Sequence, residues 1–174
     1  MRTRLVELRD AEATRAIYNV EVLESTVTFD ITPRSLAEQR QWIDEHSGGH
    51  PAIVAVDGDD TVLGFASLSP FKPRAAYAPT VEDSVYVRRD GRGHGVGELL
   101  LRDIIRLGTD HGFHSVIARI VGGHEASIAL HRKCGFEELG CEREVGRKFG
   151  RWLDTLYMQK SLGPGDQLPP EVEP

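Results

Sequence analysis

Apolar positions along the chain follow two periods, and the points where one gives way to the other mark out its elements. Thr3 to Leu8 alternates like a short strand, and Asp10 to Leu23 carries apolar residues at helical spacing. The link Ser25-Thr26-Val27-Thr28-Phe29-Asp30 follows, and then Ser35-Leu36-Ala37-Glu38, a capping box that predicts a helix to about His46. Ala52 to Val56 and Val62 to Ser69 are apolar or β-branched runs on either side of Asp57-Gly58-Asp59-Asp60. That pattern predicts a hairpin, with Pro70 ending its second strand. Past a loop containing Lys72, Arg74 and Tyr77, a strand over Val81 to Val87 enters a glycine-dense turn. The helix after it has Val96, Leu100, Ile104 and Leu107 on one face and Gly112 as its close. Ser115 to Ile120 reads as a strand, Glu125 to Lys133 as a helix stopped by Gly135, and strands near Glu137 to Glu144 and Trp152 to Lys160 finish the pattern. The order β-α-α-β-β-β-α-β-α-β-β predicts an α/β (α+β) fold, a mixed sheet covered by helices.

Composition narrows the picture. At 174 residues the chain fits one domain with a core of its own. We assign that domain to residues 1–162. The remaining 163–174 are acidic and proline-rich, with too few apolar groups to offset the entropy of ordering, and are expected to be a disordered tail. The net charge of −6 argues against a general nucleic-acid or anionic-membrane surface and leaves room for a local basic channel. That charge predicts a small-molecule ligand, and since neither a signal peptide nor a run of transmembrane length is visible, a cytoplasmic protein is expected. Cys134 and Cys141 lack Cys-x-x-Cys spacing and read as two core thiols, and seven scattered histidines give no metal-ligand spacing.

The candidate chemistry is concentrated in Arg92-Gly93-His94-Gly95-Val96-Gly97-Glu98, between a strand and a helix. Glycines there let successive N–H groups and the helix N-terminus converge on one anion, and Arg92 adds a fixed charge. A Walker loop requires Lys-Ser or Lys-Thr after its last glycine, where this chain has Glu98-Leu99. A dinucleotide fingerprint requires Gly-x-Gly-x-x-Gly in the first β-α-β unit, whereas Gly93-x-Gly95-x-Gly97 lies mid-chain. Arg92, Gly95 and Gly97 fit Arg-x-x-Gly-x-Gly, which resembles the pyrophosphate loop of the GNAT acyl-CoA N-acyltransferases.

Further blocks sharpen the resemblance: Ser25 to Phe29, Thr80 to Val87, Ala126-Ser127-Ile128-Ala129-Leu130-His131, Cys134-Gly135-Phe136 and Val145 to Asp154. In this order they are similar to the phosphinothricin and methionine sulfoximine N-acetyltransferases, over roughly residues 5 to 162. The resemblance implies a mixed, mostly antiparallel central sheet flanked by helices. It also implies transfer of acetyl from acetyl-CoA, without a metal, to the α-amine of a small amino acid analogue by direct displacement. The alternatives are another small amine as acceptor, or a catalytically weak CoA-binding module. A homodimer is implied too, with Lys148-Phe149-Gly150-Arg151-Trp152 and the final strands near the shared surface.

Residue by residue, the resemblance makes Glu82 the base for the attacking amine, which must be neutral to attack. His131 is the second catalytic candidate, either donating a proton to the departing thiolate or hydrogen-bonding Glu82 to tune it. The backbone of Val85, Tyr86 and Val87 is expected to hold the pantetheine like an added strand, and Arg92, Gly93, His94, Gly95, Val96, Gly97 and Glu98 the pyrophosphate. Lys133 is expected to reach the phosphates. His124 stands where the family usually has an asparagine that holds the pantetheine amide. The acceptor side is assigned to Phe29, Lys72, Arg74, Tyr77, Glu82, Asp83 and Ser84, cations for its polar ends and aromatic walls for its stem.

Overall fold

The computed structural model describes residues 1–163, so all of the expected disordered tail except Gly163 lies outside the described residues. Seven strands alternate with four α-helices in the predicted order: β1 (Arg2–Leu5), α1 (Ala11–Glu24), α2 (Leu36–Glu45), β2 (Ala52–Val56), β3 (Val62–Pro70), β4 (Thr80–Val87), α3 (Val96–Asp110), β5 (Ser115–Val121), α4 (Glu125–Lys133), β6 (Glu137–Lys148) and β7 (Arg151–Ser161). They form one mixed sheet in the order β1-β2-β3-β4-β5-β7-β6. Every pairing is antiparallel except β4 with β5, which α3 joins as a crossover.

The Ser35 capping box forms as expected, Ser35 accepting from the Glu38 N–H while Glu38 accepts from the Ser35 N–H. Two boundaries differ from the sequence reading. β1 stops at Leu5 because Leu8–Asp10 closes a 3-10 turn, where the Asp10 carboxylate accepts from the Glu7 N–H. β6 runs past Glu144 to Lys148 because a bulge between Glu142 and Gly146, with Glu144 at φ 55°, interrupts the alternation without ending the pairing.

One core lies between the sheet and helices α3 and α4, built on Leu68, Val81, Leu100, Ile104, Val116 and Met158. The second lies on the opposite face, where Tyr18 and Val22 of α1 meet Val54, Val56 and Phe65. α1 packs over β3 and β4. β6 is exposed along nearly its whole length, so Cys141 is exposed and only Cys134 is a core thiol, which corrects the expectation of two. No helix among the described residues is long and apolar enough to cross a membrane.

The feature that places the site is where β4 and β5 part. Their parallel register covers Thr80 with Ser115, Val81 with Val116 and Glu82 with Ile117. β4 continues beside β3 as far as Val87, and β5 beside β7 as far as Val121. From Asp83 onward β4 is therefore paired on one edge, and the backbone groups of its other edge face a gap between diverging strands.

Candidate active site

Alternation along β4 sends Val81, Asp83, Val85 and Val87 toward α3 and α4, and Glu82, Ser84 and Tyr86 toward the face that carries α1. Glu82 stands at the last paired position before the strands part. Its Oε2 lies 2.8 Å from Arg119 Nε on β5, with 18% of the Glu82 side chain and 49% of the Arg119 side chain exposed. Burial pushes the Glu82 carboxyl above its usual range, and Arg119 recovers only part of that shift. A carboxylate moved in this direction is a better proton acceptor for an amine than an ordinary surface glutamate. Tyr157 sits against the same guanidinium and donates to Glu142 Oε2 at 3.1 Å.

Asp83 points the other way. It is buried, and its Oδ2 lies 3.0 Å from His131 Nε2, while His131 Nδ1 lies 2.8 Å from the Ser127 carbonyl. Burial alone would lower the imidazole, but the bond to Asp83, its charge and the Ser127 carbonyl outweigh it and hold His131 above its usual value. Two expectations change. His131 pairs with Asp83 rather than tuning Glu82, because α4 lies on the opposite side of the sheet. Asp83 is sealed beneath α4 instead of lining an acceptor site. With both ring nitrogens engaged, neither is free in this arrangement to serve a departing thiolate.

The glycine turn follows β4 through a 3-10 turn over Arg89–Gly91. Gly93 and Gly95 have φ of 77° and 81°, and a Cβ built on either meets nothing within 4 Å. The turn is thus open at these two positions, in a conformation that favours glycine, and Gly95 caps the start of α3. With the unpaired edge of β4, it fits an extended chain ending in phosphates. Arg92 departs from its expected role: its guanidinium turns to α1 and lies 2.8 Å from Glu21 Oε1, which Arg89 also contacts at 3.0 Å. Burial raises Glu21, but Ser25, Arg89 and Arg92 hold it below the usual range, so the charge of Arg92 is already matched. Lys133 lies 2.5 Å from Glu98 Oε2, tying α4 to the first turn of α3. His124 begins α4, and burial followed by the charge of Arg92 lowers its imidazole, favouring the neutral form.

The other acceptor candidates lie on separate segments: the loop after α1 and the loop between β3 and β4. Phe29 leaves the loop after α1 and lays its ring on Gly146 of β6, so closely that a Cβ there would sit 2.5 Å from it. Lys72 lies over the rings of Phe71 and Tyr77, at 4.6 and 5.1 Å, in the loop that leads into β4. Arg74 caps the short 3-10 turn holding Tyr77. Arg119 was missed. Its signal is a lone charge inside Ser115-Val116-Ile117-Ala118-Arg119-Ile120-Val121, which an apolar strand tolerates only where one face is open or a partner waits.

Comparison with known proteins agrees with this geometry. The model of the acetyltransferase (GNAT) domain matches residues 3–157. The L-methionine sulfoximine/L-methionine sulfone acetyltransferase of Pseudomonas aeruginosa is 44% identical over 155 residues, covering 88% of this chain and 90% of that protein. The phosphinothricin N-acetyltransferase of Alcaligenes faecalis is 39% identical, covering 97% of this chain and 86% of that protein. A Sinorhizobium meliloti phosphinothricin acetyltransferase solved in complex with AcCoA superposes with a TM-score of 0.93 at 40% identity, covering 98% of this chain and 94% of that one. A sheet splayed beside a glycine-rich helix start, under a family match that spans nearly all of the strands, makes this chain a member of the GNAT acetyltransferase family, with acetyl-CoA as its acyl donor.

Proposed function

We propose that this enzyme, a single catalytic domain over residues 1–162, acetylates the α-amine of a small amino acid analogue of the methionine sulfoximine, methionine sulfone or phosphinothricin kind. The observation that carries this reading is Glu82, a half-buried carboxylate on the open face where β4 and β5 part. Acetyl-CoA supplies the thioester, whose carbon–sulfur bond breaks as the new carbon–nitrogen bond forms. Glu82 takes the proton the amine must lose, directly or through one water, and passes it on toward the leaving sulfur. The unpaired edge of Val85, Tyr86 and Val87 and the glycine turn hold the donor, with His124 beside it as a neutral imidazole. Phe29 and Tyr77 wall the acceptor stem, Lys72 and Arg74 offer charge to its far end, and His131 with Asp83 holds α4 against β4. The names of the relatives support the acceptor class. A cytoplasmic location follows from where acetyl-CoA and free amino acids meet.

Release of free thiol across a panel of amino acid analogues tests the reading. Turnover of methionine sulfone or phosphinothricin supports it, and CoA binding without turnover of any amine would reduce the protein to a binding module. Gly95→Val tests the donor site separately: a β-branched residue at positive φ distorts the turn, and acetyl-CoA affinity should fall by about tenfold or more. Unchanged affinity in calorimetry would remove the turn from the donor site.

We also propose a homodimer. Leu23, Ile31, Phe149 and Trp152 are exposed by 56%, 73%, 55% and 62%, around the turn between β6 and β7 at the sheet edge. Apolar side chains gathered this way are what an association surface presents. Light scattering that shows only a 19.3 kDa species at micromolar concentration would overturn it.

A further inference from the structure

We propose that Arg119 is the receptor for the acceptor's α-carboxylate, and so the residue that makes this enzyme choose amino acids over simple amines. The inference rests on the amino acid acceptor reading and adds to it a specificity determinant. On β5, Val116, Ala118 and Ile120 enter the core under α3 and α4, which sends Ile117 and Arg119 to the opposite face. There the guanidinium is half exposed, with Nε held by Glu82 at 2.8 Å. A guanidinium has five N–H donors in a planar fork, so contact through Nε and with Tyr157 leaves others for a second anion.

The acceptor's own chemistry matches this pair. An amino acid carries an ammonium and a carboxylate on one carbon, and Glu82 with Arg119 is a carboxylate and a cation in direct contact. Docking one ion pair head to tail on the other brings the amine to Glu82 and the carboxylate to the guanidinium fork. The carboxylate of the acceptor then takes over Arg119, and Glu82 is released to accept a proton when the amine is in place. A simple amine must break the Glu82–Arg119 contact with nothing to offer the cation. Lys72 and Arg74, on a different loop, are left for the distal sulfoximine, sulfone or phosphinate group.

Thiol release measured with two acceptors tests this: methionine sulfone, and the amine left when methionine sulfone loses its carboxyl group. In R119Q the ratio of kcat/KM for the amino acid over that for the amine should fall by about 100-fold, carried mainly by KM. Any effect of R119Q exerted through Glu82 strikes both acceptors and cancels in the ratio. R119K keeps a cation without the fork and should lose about tenfold, and it carries the same test if R119Q does not fold. A ratio that stays at the wild-type value in both variants overturns the proposal while leaving the acceptor class intact. Wild-type enzyme that turns over neither compound overturns the acceptor reading and this inference with it.

Discussion

Glu82 and Asp83 are adjacent, bear the same functional group and each contact one basic side chain, yet the sheet puts them in different media. Glu82 meets Arg119 on the open face, with 18% and 49% of the two side chains exposed. Asp83 meets His131 beneath α4, with 1% and 5% exposed, and its Oδ1 has no hydrogen-bond partner. The first pair can trade partners with water or with an arriving zwitterion at small cost. The second cannot, because any group removed there leaves a charge or a dipole stranded in a dry layer. Parity along one strand therefore separates a carboxylate on an accessible face from one sealed against a helix.

The sharpest way to break that contrast is Glu82→Gln. Glutamine keeps the size and a hydrogen bond but accepts no proton, so turnover should drop by roughly 10²- to 10⁴-fold while acetyl-CoA affinity in calorimetry barely changes. The deficit should narrow as pH rises, because more of the amine arrives already neutral. Since burial raises the Glu82 carboxyl, wild-type activity should also fade on the acid side at a higher pH than an ordinary glutamate would give. Wild-type turnover in the variant at neutral pH would remove Glu82 as the base.

Glu82 stands out in the sequence as a candidate because it lies in a block shared with the family, and the glycine turn because of its density between a strand and a helix. The element order was legible because most runs of apolar residues keep one period to their end, β6 with its bulge being the exception. What stayed hidden is set by pairings far apart in the chain. Arg119 meets Glu82 only because β4 and β5 lie parallel at a particular register, and no local pattern displays that. Arg92 turns to Glu21, 71 positions away, because α1 packs over the strand that leads into the turn. Of the two roles open to His131 in the sequence, the hydrogen bond to Glu82 is not the one formed: its partner is Asp83, which depends on the side of the sheet to which α4 returns.

Asp83→Asn probes the dry side, where stability should respond rather than chemistry alone. Loss of the charged partner of a buried imidazole should cost about 2–3 kcal/mol, read from urea denaturation. Because His131 is raised in the folded state, its pairing stabilises the fold fully below the ordinary imidazole range and progressively less as pH climbs through the folded value. The gap between wild type and variant should therefore be wider near about pH 6 than near about pH 9. A gap independent of pH would mean that the contact is a neutral hydrogen bond, and the contrast of media would lose half its basis.

The smallest effect is expected from Arg119→Gln on folding itself. Half of the Arg119 side chain is in water, so its attraction to Glu82 is screened and its release returns rotamer freedom; the loss should be about 1 kcal/mol or less. Raising the salt to about 0.5 M should shrink that loss further, since exposed charges are screened at that ionic strength, whereas the Asp83→Asn gap beneath α4 should hardly move. The two variants measured side by side in the same denaturation series thus report on the two faces of one strand. If Arg119→Gln destabilises as much as Asp83→Asn and resists salt in the same way, Arg119 is a structural clamp on Glu82. An arriving carboxylate could then not draw it away, and the exchange that would free the base on docking would be closed to this site.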